Sequence, residues 1–181
     1  LLALPDIDFG VVPLHIIVGE NDYIDDDKID LTAMQENLSS YKGKTSTSSP
    51  SPHEWENAFG DADVVFCITV TSSLSGTYNS AVIAKDIYEQ NHAGRKVYVL
   101  DSLSTGPEIA LFIEKIAELI KAGFAPDDIY KTLLEYKDKT HLYFSLASLN
   151  NFAKNGRISP VIAAGIGLLG VRVVGKASDE G

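Results

Sequence analysis

Two hydrophobic patterns alternate along this chain of 181 residues. Short, nearly continuous apolar runs rich in β-branched and aromatic side chains predict buried strands at residues 62–70, 96–102 and 141–147. Segments with apolar side chains three or four positions apart predict helices at residues 77–90, 106–124 and 125–139. Buried strands that alternate with helices are typical of a parallel sheet with helices on both faces. The sequence therefore predicts an α/β fold.

The first 61 residues are less regular. Residues 9–19 are rich in Val and Ile and predict a strand or a broken pair of strands. Residues 29–41 place Leu31, Met34 and Leu38 on one face of a predicted helix. A hydroxyl-rich loop follows and leads into a helix with Ser51 as N-cap, Pro52 at the first position and Glu54 completing a capping box.

We expect residues 1–140 to form one N-terminal α/β lobe. Residues 141–181 contain a strand, a helical stretch, a Gly-Arg turn and a strand-like run, which are too few to build a second core alone. They are predicted to begin an incomplete second α/β lobe.

Charge and composition exclude several function classes. The net charge of −10 argues against nucleic acid and anionic membranes as partners. No apolar run is long enough to span a bilayer and no secretory leader is visible, so we expect a cytoplasmic protein without membrane insertion. The single cysteine, Cys67, is predicted to be a core residue. The acidic segment at residues 21–30 lacks the Gly and Glu of a calcium loop and is interpreted as a solvated turn.

A cluster of Ser, Thr and Gly at residues 71–76 separates a predicted strand from a predicted helix. Ligands of open parallel sheets bind beyond the carboxyl ends of strands, and the following helix start offers unpaired N–H groups. No Lys or Arg lies between Val70 and Val82, which argues against a polyphosphate and favours a single carboxylate held by hydroxyls and amides. Gly76 would let a ligand approach the backbone. Alternatively, the hydroxyls only cap the helix.

A second hydroxyl cluster, at residues 45–52, also precedes a helix start. It either converges with the first cluster on one head group or is a capped solvent loop.

The remaining motifs give weaker evidence of a function. Residues 165–170 match G-x-G-x-x-G but follow no clear strand, so they predict close packing rather than dinucleotide binding. The four histidines show no metal-binding spacing, and we expect no metal and no cofactor. An alternative hypothesis, from the enzyme class, is an acyl hydrolase or transferase with Ser75 as nucleophile. A third hypothesis is a regulatory interaction domain with an acidic docking face.

The order of several motifs resembles the bacterial DegV family of fatty-acid-binding proteins. The motifs are VVPLHI, TSSPSP, VTSSLSGTYNSA, VYVLDS and LASLNNFAKNGRIS. The resemblance implies a two-lobe α/β protein that encloses one long-chain fatty acid, such as palmitate, between its lobes. It also implies lipid transport, or presentation of the acid to a fatty acid kinase, without catalysis by the chain itself.

The resemblance also implies the site residues. Thr47 and Ser75 match the family's head-group contacts, with Ser48 and Ser72 beside them and the backbone of Gly76 adding an amide. Arg157, in the Asn-Gly-Arg-Ile turn, is implied as a contact to the protein partner. Family members begin with an earlier strand and continue into a completed second lobe, so we expect this chain to be truncated at both ends.

Overall fold

The computed structural model describes residues 7–146, 149–156, 158–159, 161 and 173–177. The chain forms two compact units. The first contains Ser51–Leu142 and the described parts of Leu1–Val12 and Lys176–Gly181, and the second contains Pro13–Pro50 and the described parts of Tyr143–Gly175. The predicted lobe boundary at residue 140 stays a prediction.

A parallel pair of strands forms the centre of the first unit. Strand β4 (Val64–Thr69) lies beside β5 (Lys96–Asp101), with Val64 opposite Lys96 and Thr69 opposite Asp101. The predicted parallel sheet is confirmed, and because the pairing is in register, both strands end at the same level.

Helices cover both faces of this pair. Helices α2 (Pro52–Phe59) and α3 (Thr77–Asn91) bury one face, in a core formed by Trp55, Phe59, Cys67, Ala81, Ala84, Tyr88, Val97 and Val99. Helices α4 (Pro107–Lys121) and α5 (Pro126–Lys137) bury the other, around Leu100, Phe112, Ile116, Leu119, Ile129 and Leu133. Alternate residues of each strand point to opposite faces, so each strand must be apolar throughout.

Local signals fix the ends of helices α2 and α4. Ser51 accepts from the N–H of Glu54, whose carboxylate accepts from the N–H of Ser51 at 2.7 Å, so the capping box is confirmed. At the end of α4, Gly123 has a φ of +77°. The N–H of Gly123 donates to Ile120 and that of Phe124 donates to Leu119, which is a Schellman motif.

The second unit contains a small antiparallel sheet. Strands β1 (His15–Val18), β2 (Asn21–Ile24) and β3 (Thr45–Ser48) are arranged in the order β2-β1-β3, and helix α1 (Leu31–Ser40) connects β2 to β3. Two sequence interpretations are corrected here. Residues 21–24 are a strand rather than part of an acidic turn, and residues 45–48 are a strand rather than a loop. Both gain their strand structure by pairing with β1.

The remaining described elements lie in the last forty residues. Strands β6 (Tyr143–Leu146) and β7 (Val173–Lys176) pair, and α6 (Asn150–Lys154) is a short helix between them in the sequence. Arg157 and the glycine motif at residues 165–170 lie outside the described residues.

Candidate functional site

The hydroxyl turn, which we define as residues 70–76, connects the end of β4 to the start of α3. It lies at the carboxyl end of a parallel strand, where ligands of open α/β sheets bind. Helix α3 has no side-chain cap at its first residue. The first N–H groups of a helix have no intrahelical acceptor, so they can donate to a ligand unless the turn itself supplies an acceptor, as the Oγ of Ser75 does for the N–H of Thr77.

Thr71 organises the beginning of the turn. Its carbonyl oxygen accepts from the N–H groups of Leu74 at 3.3 Å and Ser75 at 3.2 Å. Its buried side chain places Oγ1 2.8 Å from the Oγ of Ser73. Part of the hydroxyl cluster therefore stabilises the turn itself, as the capping alternative predicts.

Ser75 is half-buried at the other end of the turn. Its Oγ lies 2.7 Å from the Oγ1 of the buried Thr77 and accepts from the N–H of Thr77 at 3.4 Å. The neighbouring hydroxyl is not a base, so this contact does not activate Ser75 as a nucleophile.

Gly76 is exposed at the start of α3. Its φ of −73° and ψ of −1° are accessible to any residue, so the backbone does not require glycine here. The N–H of Gly76 makes no hydrogen bond with any described residue. An exposed amide without a side chain beside it suits the close approach of an anion.

Sequence reasoning missed a second polar segment, the β5 loop at residues 102–106. The carboxylate of Asp101, at the end of β5, accepts from the N–H of Ser72 at 3.2 Å, and the carbonyl oxygen of Ser104 accepts from the N–H of Thr71 at 2.9 Å. The carboxyl ends of neighbouring parallel strands meet at one edge of a sheet. The Asp-Ser-Leu-Ser sequence that begins at the last residue of β5 could therefore have been predicted to lie beside the hydroxyl turn.

The β5 loop is itself closely held. The buried hydroxyl of Ser102 donates to the carbonyl oxygen of Ser104 at 3.0 Å and accepts from the N–H of Ser104 at 3.1 Å. The hydroxyl of Ser104 is also buried and meets no hydrogen-bond partner among the described residues. These serines build the edge of the sheet rather than face solvent.

Thr47 and Ser48 lie in the second unit, on β3. Both are exposed, Thr47 is opposite Ile16 of β1, and the Oγ of Ser48 donates to the carbonyl oxygen of Ser49 at 3.4 Å. The structure thus brings Ser72, Ser75 and Gly76 together in one turn. Convergence of Thr47 and Ser48 on the same ligand stays a prediction.

The described residues give less support to a reactive cysteine, a metal site or a membrane-spanning helix. Burial raises the pKa of Cys67 to about 12, so this thiol is not a nucleophile. In the described part of the chain, no group of three His, Cys, Asp or Glu side chains is placed to hold a metal ion. No described helix combines the length and the apolar character that crossing a bilayer demands.

A family model described as "Uncharacterised protein, DegV family" matches residues 3–181. A DegV domain-containing protein of Streptococcus pneumoniae is 40% identical over 173 residues, which cover 96% of this chain and 62% of that protein. A DegV domain-containing protein of Streptococcus gordonii is 39% identical over 180 residues, which cover 99% and 64%. The chain therefore spans less than two thirds of the length of these relatives.

Solved structures resemble this one closely. A DegV family protein from Eubacterium eligens loaded with heptadecanoic acid has a TM-score of 0.93 and 38% identity, covering 99% of this chain and 65% of that one. The Fatty Acid Kinase (Fak) B3 protein of Streptococcus pneumoniae loaded with linoleic acid has a TM-score of 0.90 and 40% identity, covering 93% and 60%.

Proposed function

This chain belongs to the DegV family, and from that premise we propose that it binds one long-chain fatty acid. The observation that carries the proposal is the likeness to the heptadecanoic-acid-loaded relative, which extends over 99% of this chain at 38% identity. The linoleic-acid-loaded relative, at 40% identity, supports the same ligand class.

The carboxylate of the ligand is bound at the hydroxyl turn. The hydroxyl of Ser75 and the N–H of Gly76 donate to it, and the N–H groups of the first turn of α3 add a favourable dipole. We also propose the hydroxyls of Thr47, Ser48 and Ser72 as contacts of the head group, as membership of the family implies. The N–H of Ser72 does not take part, because it already donates to Asp101.

Neutral donors are sufficient for this ligand. Hydrogen bonds to a charged acceptor are each worth about 1.5–3 kcal/mol, so two or three of them hold a single carboxylate without a cation. The acyl tail adds about 0.8 kcal/mol per buried methylene. The tail therefore supplies most of the affinity, and the head-group contacts orient the ligand.

The bound acid is cargo rather than substrate of this chain. We propose that a fatty acid kinase receives it, since one similar protein bears the name of that kinase system. Arg157 is the proposed contact to that partner. Because such a kinase would use ATP, we propose that the transfer of the fatty acid to it takes place in the cytoplasm.

Native mass spectrometry of the purified full-length protein tests the proposal. After addition of palmitate or oleate, we expect a mass increase equal to one fatty acid molecule. A protein that carries no lipid and ignores both acids would refute fatty acid binding. Labelling of Ser75 by a fluorophosphonate probe would instead support the alternative acyl hydrolase or transferase.

A further inference from the structure

Asp101 connects the two loops at the carboxyl edge of the parallel strands. Its Oδ1 accepts from the N–H of Ser72 in the hydroxyl turn at 3.2 Å and from the N–H of Leu103 in the β5 loop at 3.1 Å. Its Oδ2 lies 3.3 Å from the N–H of Ser72. One carboxylate therefore holds backbone groups that are 31 residues apart in the sequence, at positions 72 and 103.

Two further features make this connection specific. The N–H of Thr71 donates to the carbonyl oxygen of Ser104 at 2.9 Å, so Thr71 is bound to the β5 loop and the next residue, Ser72, to the end of β5. Leu103 has a φ of +53°, which is uncommon for a residue with a branched side chain. Such a conformation persists where surrounding contacts determine it, and the Asp101 carboxylate supplies one of them.

We infer that Asp101 is a positioning residue for the fatty-acid head group. It fixes the start of the hydroxyl turn, and thereby the direction of the Ser75 hydroxyl and the Gly76 N–H, without touching the ligand. By occupying the N–H of Ser72, it also removes that amide from the donors open to a carboxylate. This inference rests on the proposed function.

The role depends on accepting hydrogen bonds rather than on negative charge. A negative charge beside an anion-binding turn is unfavourable for the ligand, so a purely electrostatic role would weaken binding. Oδ1 accepts from both N–H groups, so the carbonyl oxygen of an asparagine can replace it, and only the longer contact of Oδ2 with the N–H of Ser72 at 3.3 Å is lost. An alanine cannot replace it.

The test compares Asp101→Asn and Asp101→Ala in the full-length protein, with palmitate and hexadecan-1-ol as ligands of equal tail length. Asp86→Asn and Asp86→Ala, on an exposed position of α3, are matched controls for the change in net charge. Asp101→Ala should bind palmitate about tenfold more weakly than the wild type, the size of one lost hydrogen bond to a charged group. Its affinity for hexadecan-1-ol should stay unchanged, and Asp101→Asn and both Asp86 variants should resemble the wild type.

Amide hydrogen exchange in the ligand-free protein adds an independent measurement. Asp101→Ala should exchange faster at Ser72 and Leu103, and Asp101→Asn should not. Equal losses for palmitate and hexadecan-1-ol would show a general structural role, and tighter palmitate binding in both Asp101 variants would show a charge effect; either result overturns the inference. If the wild type does not bind palmitate, the proposed function fails, and unchanged exchange in Asp101→Ala would separately refute the positioning role.

Discussion

The hydroxyl of Tyr88, on α3, lies 2.9 Å from the carbonyl oxygen of Ala62, in the segment that leads into β4. The same hydroxyl lies 3.0 Å from the carbonyl oxygen of Gly60 and accepts from the guanidinium of Arg95 at 3.0 Å. The ring of Tyr88 is almost completely buried, so this hydroxyl joins the end of α2 to α3 from inside the core.

Tyr88→Phe should therefore lower the free energy of unfolding by about 0.5–1.5 kcal/mol, because it removes a hydroxyl that donates to a part-buried carbonyl group and accepts from Arg95. Urea unfolding monitored by circular dichroism measures this loss. Tyr143→Phe, on an exposed ring of β6, is the matched control and should leave stability unchanged. A Tyr88→Phe protein as stable as the control would contradict the structural role.

Ser75→Ala should weaken palmitate binding by about tenfold or more, since it removes one hydrogen bond to a charged group. Isothermal titration of the full-length protein measures the change. Ser73→Ala removes a hydroxyl from the same turn that is bound to Thr71 and should have a much smaller effect. Equal affinities for wild type and Ser75→Ala would exclude Ser75 from the head-group site.

Cys67 should resist thiol reagents in the folded protein. Burial leaves it 4% exposed and raises its pKa to about 12, so almost no thiolate is present at pH 8. Labelling with 5,5′-dithiobis(2-nitrobenzoate) should be slow in buffer and fast in concentrated urea. Fast labelling of the native protein would show that β4 is more open than the structure indicates.

Asp127 should make stability depend on pH. The carboxylate lies 2.6 Å from the ammonium of Lys96 and from the hydroxyl of Tyr98, and these contacts lower its pKa. A carboxyl whose folded pKa is depressed stabilises the fold above its unfolded pKa, near pH 4, and loses that contribution as the pH falls through its lower folded value.

Asp127→Asn should consequently melt at a lower temperature than the wild type at pH 6, and the difference should narrow toward pH 3. Differential scanning calorimetry at both pH values measures it. Asp86→Asn, on an exposed position of α3, should show no such trend. A constant difference between wild type and Asp127→Asn would mean that the carboxylate charge is not involved.

The parallel strands and their helices could be predicted because their signals are local. The predicted strand at residues 96–102 is observed as Lys96–Asp101, and the predicted helix at residues 77–90 as Thr77–Asn91. Continuous apolar runs, a capping box and a glycine C-cap are properties of neighbouring residues, so they can be read without knowledge of tertiary contacts.

The short strands β2 and β3 could not be predicted in the same way. Asn21–Ile24 and Thr45–Ser48 are polar, and each gains strand structure through pairing with β1. Context of this kind overrides weak intrinsic preference. The Asp101 contact was missed for a similar reason, because its partner Ser72 is distant in the sequence.

The register of the parallel pair, β4 and β5, depends on the sizes of the side chains on its two faces. Both faces are covered by apolar helices, so a shift of one residue would exchange two buried surfaces and would not expose either to water. The two surfaces differ in side-chain volume. Small Val65, Cys67, Val97 and Val99 face α2 and α3, whereas Phe66, Ile68, Tyr98 and Leu100 face the opposite helices. Matching of side-chain sizes in the core thus also determines where the Asp101 carboxylate meets the turn that follows β4.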